Sequence, residues 1–118
     1  MANEREGMVT EVQTETQATR MDRVKAAEAC ARELVRSEEN EVSATFKVLR
    51  HLLPERDWLI LEMRTEGLTV TQIARNCSIS PSGCSAILRR IRARFATAER
   101  IFRVARLGME WQTKGRQW

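Results

Sequence analysis

The stretch Thr69–Arg94, TVTQIARNCSISPSGCSAILRRIRAR, carries two helix starts separated by too few residues for anything but a tight turn. Thr69 with Gln72 forms a capping box, in which the Thr hydroxyl takes a free N–H near Gln72 and the Gln side chain reaches back, so a short helix begins at Val70. Ile73, Ala74 and Cys77 share one face of it, and Asn76-Cys77-Ser78 ends it without proline or glycine. Ser80-Pro81 restarts the chain, with serine as N-cap and proline at a first helical position where its missing N–H costs nothing. The register of the second helix follows. Cys84, Ile87, Leu88, Ile91 and Phe95 fall on an inward stripe, while Ser82, Ser85, Ala86, Arg89 and Ala93 fall on the opposite side, which is small, polar and basic.

Ala74 in the first helix, Ile79 in the turn and Cys84 early in the second are the small and apolar residues that let two helices of a helix-turn-helix cross at close range. The run Leu53–Phe95 resembles the promoter-binding helix-turn-helix at the carboxy end of bacterial sigma factors and the LuxR-type output domain. Leu53-Pro54-Glu55-Arg56, Gly67-Leu68-Thr69, Ile73-Ala74, Ile79-Ser80 and the series Arg90, Arg92, Arg94 carry the resemblance. After Ser80 the chain is also similar to the recognition helix of KorA-type plasmid repressors, with Ser85, Arg90, Ala93 and Phe95 at matching places. The resemblance implies a second helix lying in a major groove, with Thr69, Ser80, Ser82, Gly83, Ser85, Ala86, Arg89, Arg90, Arg92 and Arg94 as the DNA-binding residues. Arg89 and Arg90 would reach phosphates, and Ala86 a thymine methyl. Two departures stand out. Ser78 occupies the turn position where these families usually carry glycine, and short residues fill positions where they often carry Arg, Lys or Gln.

The rest of the chain reads as all-α, a helical bundle around this motif with a long carboxy-terminal helix. Residues 1–20 are polar and acid-leaning, without apolar periodicity, and read as a disordered arm. Their Glu4, Glu6, Glu11 and Glu15 would be repelled by DNA; an inert tail is the preferred reading, and weak competition for the basic helix of the same chain is the alternative. From Met21 to Ser37 a helix presents Val24, Ala27, Ala31 and Leu34 on one face. Glu38-Glu39-Asn40 interrupts it, and Val42, Phe46, Leu49 and Leu53 form the next stripe, ending before Pro54. Trp58, Leu59, Ile60, Leu61 and Met63 then form a dense apolar cluster expected to be mostly interior, with Trp58 in the core, and Gly67 is a left-handed cap. Past Arg94, Phe95, Ala98, Phe102 and Ala105 recur three and four residues apart, widened by Ile101, until Gly108. A helix from Pro81 to Gly108 outruns a three-helix domain. Its apolar face needs a cover, either a second copy, the preferred reading at this point, or the helix at Met21–Ser37. The expected domain spans residues 21–108, and residues 109–118 read as a tail.

Charge is unevenly placed. Residues 1–80 hold 11 Lys/Arg and 14 Asp/Glu, a net −3, whereas residues 81–118 hold 9 and 2, a net +7. A basic third that begins at the second helix is the electrostatic footprint of a nucleic-acid binder. Cys30, Cys77 and Cys84 include no CxxC pair, and with the single His51 they make no zinc set, so no metal or other cofactor is expected. No histidine pairs with a nucleophile and there is no Gly-rich phosphate loop, which argues against an enzyme. Without a membrane-length apolar run or a signal core, a cytoplasmic protein is expected. The reading is a transcriptional regulator that binds double-stranded DNA as a homodimer. The alternative is a protein-interaction module that uses the same fold to bind RNA polymerase or another transcription factor.

Overall fold

A computed structural model describes residues 17–115, which form five helices joined by short turns. They are α1 (Gln17–Arg36), α2 (Glu41–Leu52), α3 (Glu55–Thr65), α4 (Val70–Cys77) and α5 (Pro81–Gly115). No strand occurs among the described residues. The 35 residues of α5 span on the order of 50 Å at 1.5 Å per residue, and they set the long axis of a molecule measuring 62 × 33 × 19 Å. One end of α5 holds α3 and α4; the other holds α1 and α2.

Local chemistry fixes the helix ends. Three helices close with the same pair of backbone bonds: Glu39 N to Leu34 O and Glu38 N to Val35 O, Leu68 N to Met63 O and Gly67 N to Arg64 O, Ile79 N to Ala74 O and Ser78 N to Arg75 O. Each pair needs a residue in the left-handed region, and these are Glu38, Gly67 and Ser78. The left-handed glycine cap expected at Gly67 is therefore present, with φ of 96°. Asn40, whose side chain accepts from Val42 N at 2.9 Å and Ser43 N at 3.3 Å, caps α2. Glu39 beside it takes hydrogen bonds from Lys47 and Ser43, which hold its carboxyl below the usual range. Leu53 is extended ahead of Pro54, as the pre-proline restriction requires.

The bundle end is built on small residues. Ala27 and Ala31 of α1, Ala44 of α2 and Ala98 of α5 are completely buried, so three helix backbones approach closely around Val48, Leu49, Leu52 and Phe102. The α1 stripe is the one the spacing predicts, with Val24 and Leu34 packed at its edges.

The α2 stripe differs. Val42 and Phe46 are exposed, and the buried face runs instead through Ala44, Thr45, Val48, Leu49 and Leu52. The larger Val42 and Phe46 sit at the rim, while the small Ala44 and Thr45 take the first covered turn ahead of Val48, Leu49 and Leu52. Thr45 satisfies its hydroxyl on the carbonyl of Glu41 at 2.8 Å, so it can be buried without a tertiary partner. Phe46 meets Phe95 edge to face at 5.4 Å between ring centres.

Three further expectations need correction. The cluster in α3 is less interior than its density implies: Ile60 is buried, Trp58, Leu61 and Met63 are half-buried, and Leu59 is exposed. An 11-residue helix at the edge of the molecule has only one covered face. Gly108 does not stop α5, which continues to Gly115; an interior glycine costs about 1 kcal/mol relative to alanine, and the flanking Met, Glu, Gln and Lys are good helix formers. At the amino end α1 begins at Gln17, four residues before Met21, and residues 17–20 belong to it. The arm proper, residues 1–16, and residues 116–118 lie outside the described residues.

The cover for α5 is internal. Ala98 and Phe102, expected to meet a second copy, are buried under α1 and α2 of the same chain. Phe95, Ile101 and Ala105 are half-buried and pack against the same core. The apolar face that called for a partner is thus largely satisfied by α1, whose alanine-rich stripe is narrow but allows a close fit.

Candidate nucleic-acid interface

The helix-turn-helix of α4 and α5 is held by the local devices legible in its sequence. Thr69 N donates to Gln72 Oε1 at 2.9 Å and Gln72 N donates to Thr69 Oγ1 at 3.2 Å, completing the capping box. Ser78 turns the chain at φ 56° and ψ 43°. Ser80 then caps α5: its hydroxyl accepts from Gly83 N at 3.0 Å and its carbonyl from Cys84 N at 2.9 Å. The lack of a side chain at Gly83 leaves room for that hydroxyl, which a Cβ there would approach to 3.0 Å. Ile73, Ala74 and Cys84 are buried in the crossing, and Cys77 and Ile79 pack against it. Burial, with Cys77 nearby, raises the Cys84 thiol further, which keeps it a neutral packing group.

With the inward stripe covered, the outward face of α5 is open. Ser82, Ala86, Arg89 and Ala93 follow one another at 4-3-4 spacing and are all exposed. Half-buried Ser85 and exposed Arg92 flank this face on one side; Gly83, Arg90 and half-buried Arg94 flank it on the other. Arg89, Arg92 and Arg94 have no acidic partner among the described residues. Thr69 and Ser80, also expected at the interface, are exposed at the two helix starts, where both are engaged as caps.

Arg90 is placed differently. Its guanidinium clasps Asp57 of α3, with Nη2 at 2.8 Å and Nε at 3.1 Å from Oδ2 and Nη2 at 3.0 Å from Oδ1. Asp57 is completely buried in the first turn of α3, so this bidentate pair ties the amino end of one helix to the middle of another. Arg56 Nε adds a longer contact at 3.7 Å. Arg90 therefore acts first as a strut that sets the rotation of α5 against α3. Thirty-three residues separate the partners, and only the fold brings them together. The second feature missed is Arg50, whose guanidinium lies 5.0 Å from the ring of Trp58 and covers the half-buried indole.

No group of His, Cys, Asp and Glu among the described residues has the arrangement to hold a metal ion. No described helix is long and apolar enough to cross a membrane.

No curated protein and no solved structure matches the chain at a significant level. Residues 51–104, from the end of α2 to past the middle of α5, match the bacterial regulatory proteins of the luxR family, and of the three resemblances drawn from the sequence it is the LuxR one that this match supports.

Proposed function

We propose that the chain is a non-enzymatic transcriptional regulator that binds double-stranded DNA, with the amino-terminal half of α5 in the major groove. The observation that carries this reading is the exposed Ser82–Ala86–Arg89–Ala93 face on a capped helix, flanked by Arg92 and Arg94, which have no acidic partner among the described residues, within the segment that matches the luxR family. Small residues let the helix sit deep, and arginines farther along reach phosphates on the groove walls. Arg89, Arg92 and Arg94 supply charge, Ser82, Ser85 and Ala86 face base edges, and Arg90 is committed to orientation through Asp57.

A homodimer was expected because paired half-sites raise affinity and because Phe95 and Phe102 demanded a cover. With Phe102 buried inside the chain that demand falls away, and the reading requires one copy per recognition helix. Sedimentation at tens of micromolar is expected to give a monomer.

The test is a salt titration of binding to duplex DNA. Affinity for random sequence should fall steeply with salt, and Arg89→Ala should weaken binding to all sequences while lowering the log–log salt slope by about one unit. Ser85→Ala should mainly relax sequence preference. An Arg89→Ala protein with wild-type affinity and slope would overturn the assignment.

A further inference from the structure

The carboxy-terminal half of α5 shows a surface that the DNA reading leaves unused. Beside α1 it forms a groove of about 490 Å³. Ile101, Val104, Ala105, Gly108 and Met109 line its floor, and Arg32 and Arg36 of α1 and Arg100 of α5 line its rim, with Glu28 the one acidic residue among those lining it. The apolar surface continues out of the groove: Val104 is 61% exposed, Leu107 52% and Trp111 76%. Three large apolar side chains so exposed, three and four residues apart on consecutive turns, give the anchor spacing of a helix that receives another helix. Gly108 lies among them, exposed, with no atom within 4 Å of the place a Cβ would occupy. Nothing among the described residues requires a glycine there, and it leaves a notch where a second helix backbone can come close.

Charge decides what fills the groove. Arg32 and Arg100 have no acidic partner among the described residues, and Arg36 has only the exposed Glu33 at 3.1 Å. A second copy that meets the groove through the same two helices would bring more of the same sign. α5 holds eight Lys/Arg against two Asp/Glu, and α1 holds five against three, so any pairing of these helices sets basic surface on basic surface. Nucleic acid matches the charge but not the apolar floor. We infer that this groove docks an acidic amphipathic helix of another protein, its apolar stripe on Val104, Gly108 and Trp111 and its carboxylates on Arg32, Arg36 and Arg100. The groove draws α1 from outside the segment that matches the luxR family, and the inference stands independently of DNA binding.

The experiment uses the full chain and a fluorescein-labelled 20-residue helical peptide with leucines at i, i+4, i+7 and i+11 and glutamates on its other faces. A second peptide replaces every glutamate with lysine. Anisotropy should show the acidic peptide binding at least about tenfold tighter than the lysine version. Arg32→Glu with Arg100→Glu should weaken the acidic peptide by about tenfold or more. Gly108→Leu, which fills the notch and favours the helix, should do the same while raising thermal stability, which separates loss of docking from loss of fold. Equal affinity for both peptides, or full affinity in the Gly108→Leu protein, overturns the inference. So does dimerisation of the wild type that Gly108→Leu abolishes, which would give the groove to a second copy. Acidic-peptide binding that appears only after removal of residues 1–16 also overturns it, since those residues would then be the occupant.

Discussion

The two ends of α5 are stabilised by different means. At the helix-turn-helix end, order comes from bonds made within a few residues: the Thr69–Gln72 box, the Ser80 cap and the turn at Ser78. To these is added one long-range polar strut, Arg90 on Asp57. At the bundle end a long-range polar link runs from Arg23 Nη1 of α1 to the Leu53 carbonyl at 3.0 Å, at the end of α2. The exposed Arg103 contacts Glu41 at 3.2 Å, but α1, α2 and α5 are joined mainly by completely buried alanines packed around Phe102 and the α2 leucines. On the proposed DNA reading, the long helix meets the groove at one end and is anchored by packing at the other. Rigid-body position along some 50 Å of helix is what links the anchor to the recognition face.

The largest effect should come from removing the anchor. Phe102 is 2% exposed, so Phe102→Ala should cost about 3–5 kcal/mol, the range for emptying an aromatic site in a well-packed core. Urea denaturation should show the midpoint falling with little change in slope. Phe102→Asp should be more severe still, because it places a carboxylate among buried alanines and leucines, even with the Arg106 guanidinium 5.6 Å from the ring centre. A folded, stable Phe102→Asp protein would mean that α1 does not cover this face in solution.

A smaller effect is expected from the strut, and the two sides of it should not be equal. Arg90→Gln leaves the buried Asp57 with only the 3.7 Å contact to Arg56, and should cost about 2–3 kcal/mol, below the range for fully buried pairs because Arg90 itself is half exposed. Asp57→Asn removes the buried charge and frees Arg90 to turn to water, and should cost about 1–2 kcal/mol. Both should also weaken DNA binding through the angle of α5, whereas Arg89→Ala should weaken binding with no loss of stability. Equal losses for the two strut variants would show that the carboxylate is not as desolvated as its burial implies.

The same contrast explains what was legible in the sequence. Caps and turns are written in adjacent residues, so the starts at Thr69 and Ser80, the stop at Gly67 and the inward stripe of Cys84, Ile87 and Ile91 could all be read directly. The α1 stripe could be read from spacing alone. The buried face of α2 could not, because hydrophobicity favours Val42 and Phe46 while the face that neighbouring helices cover, a tertiary property, runs through Ala44 and Thr45. The cover on Phe102 was misassigned for a related reason: a stripe dominated by alanine looks too thin to bury an aromatic ring until backbone approach is counted. Arg90 was placed on the DNA side because its phase allows it and its partner lies 33 residues away. Gly108 looked like a terminator because glycine ends many helices, yet in α5 it has helical neighbours on both sides and empty space beside it.

The smallest predicted effect concerns the turn, where two helix ends can be compared directly. Gly67 and Ser78 close α3 and α4 with the same backbone bonds and both have positive φ, 96° and 56°. Glycine adopts this region freely, whereas a residue with a Cβ carries roughly 1–2 kcal/mol of strain in it. Ser78→Gly should remove that strain, and the greater freedom of glycine in the unfolded chain should return about 0.5–1 kcal/mol of the gain. The net stabilisation is then below about 1.5 kcal/mol, read as a rise of several degrees in melting temperature for a chain of this size. Gly67→Ser should show the opposite sign, and because no atom lies within 4 Å of the site its cost would report backbone strain without steric clash. DNA affinity should be unchanged by Ser78→Gly, since Ser78 lies outside the recognition face and the turn keeps its bonds. A Ser78→Gly protein that melts lower than wild type would mean that the serine side chain makes a stabilising contact, and that the likeness between the two helix ends stops at the backbone.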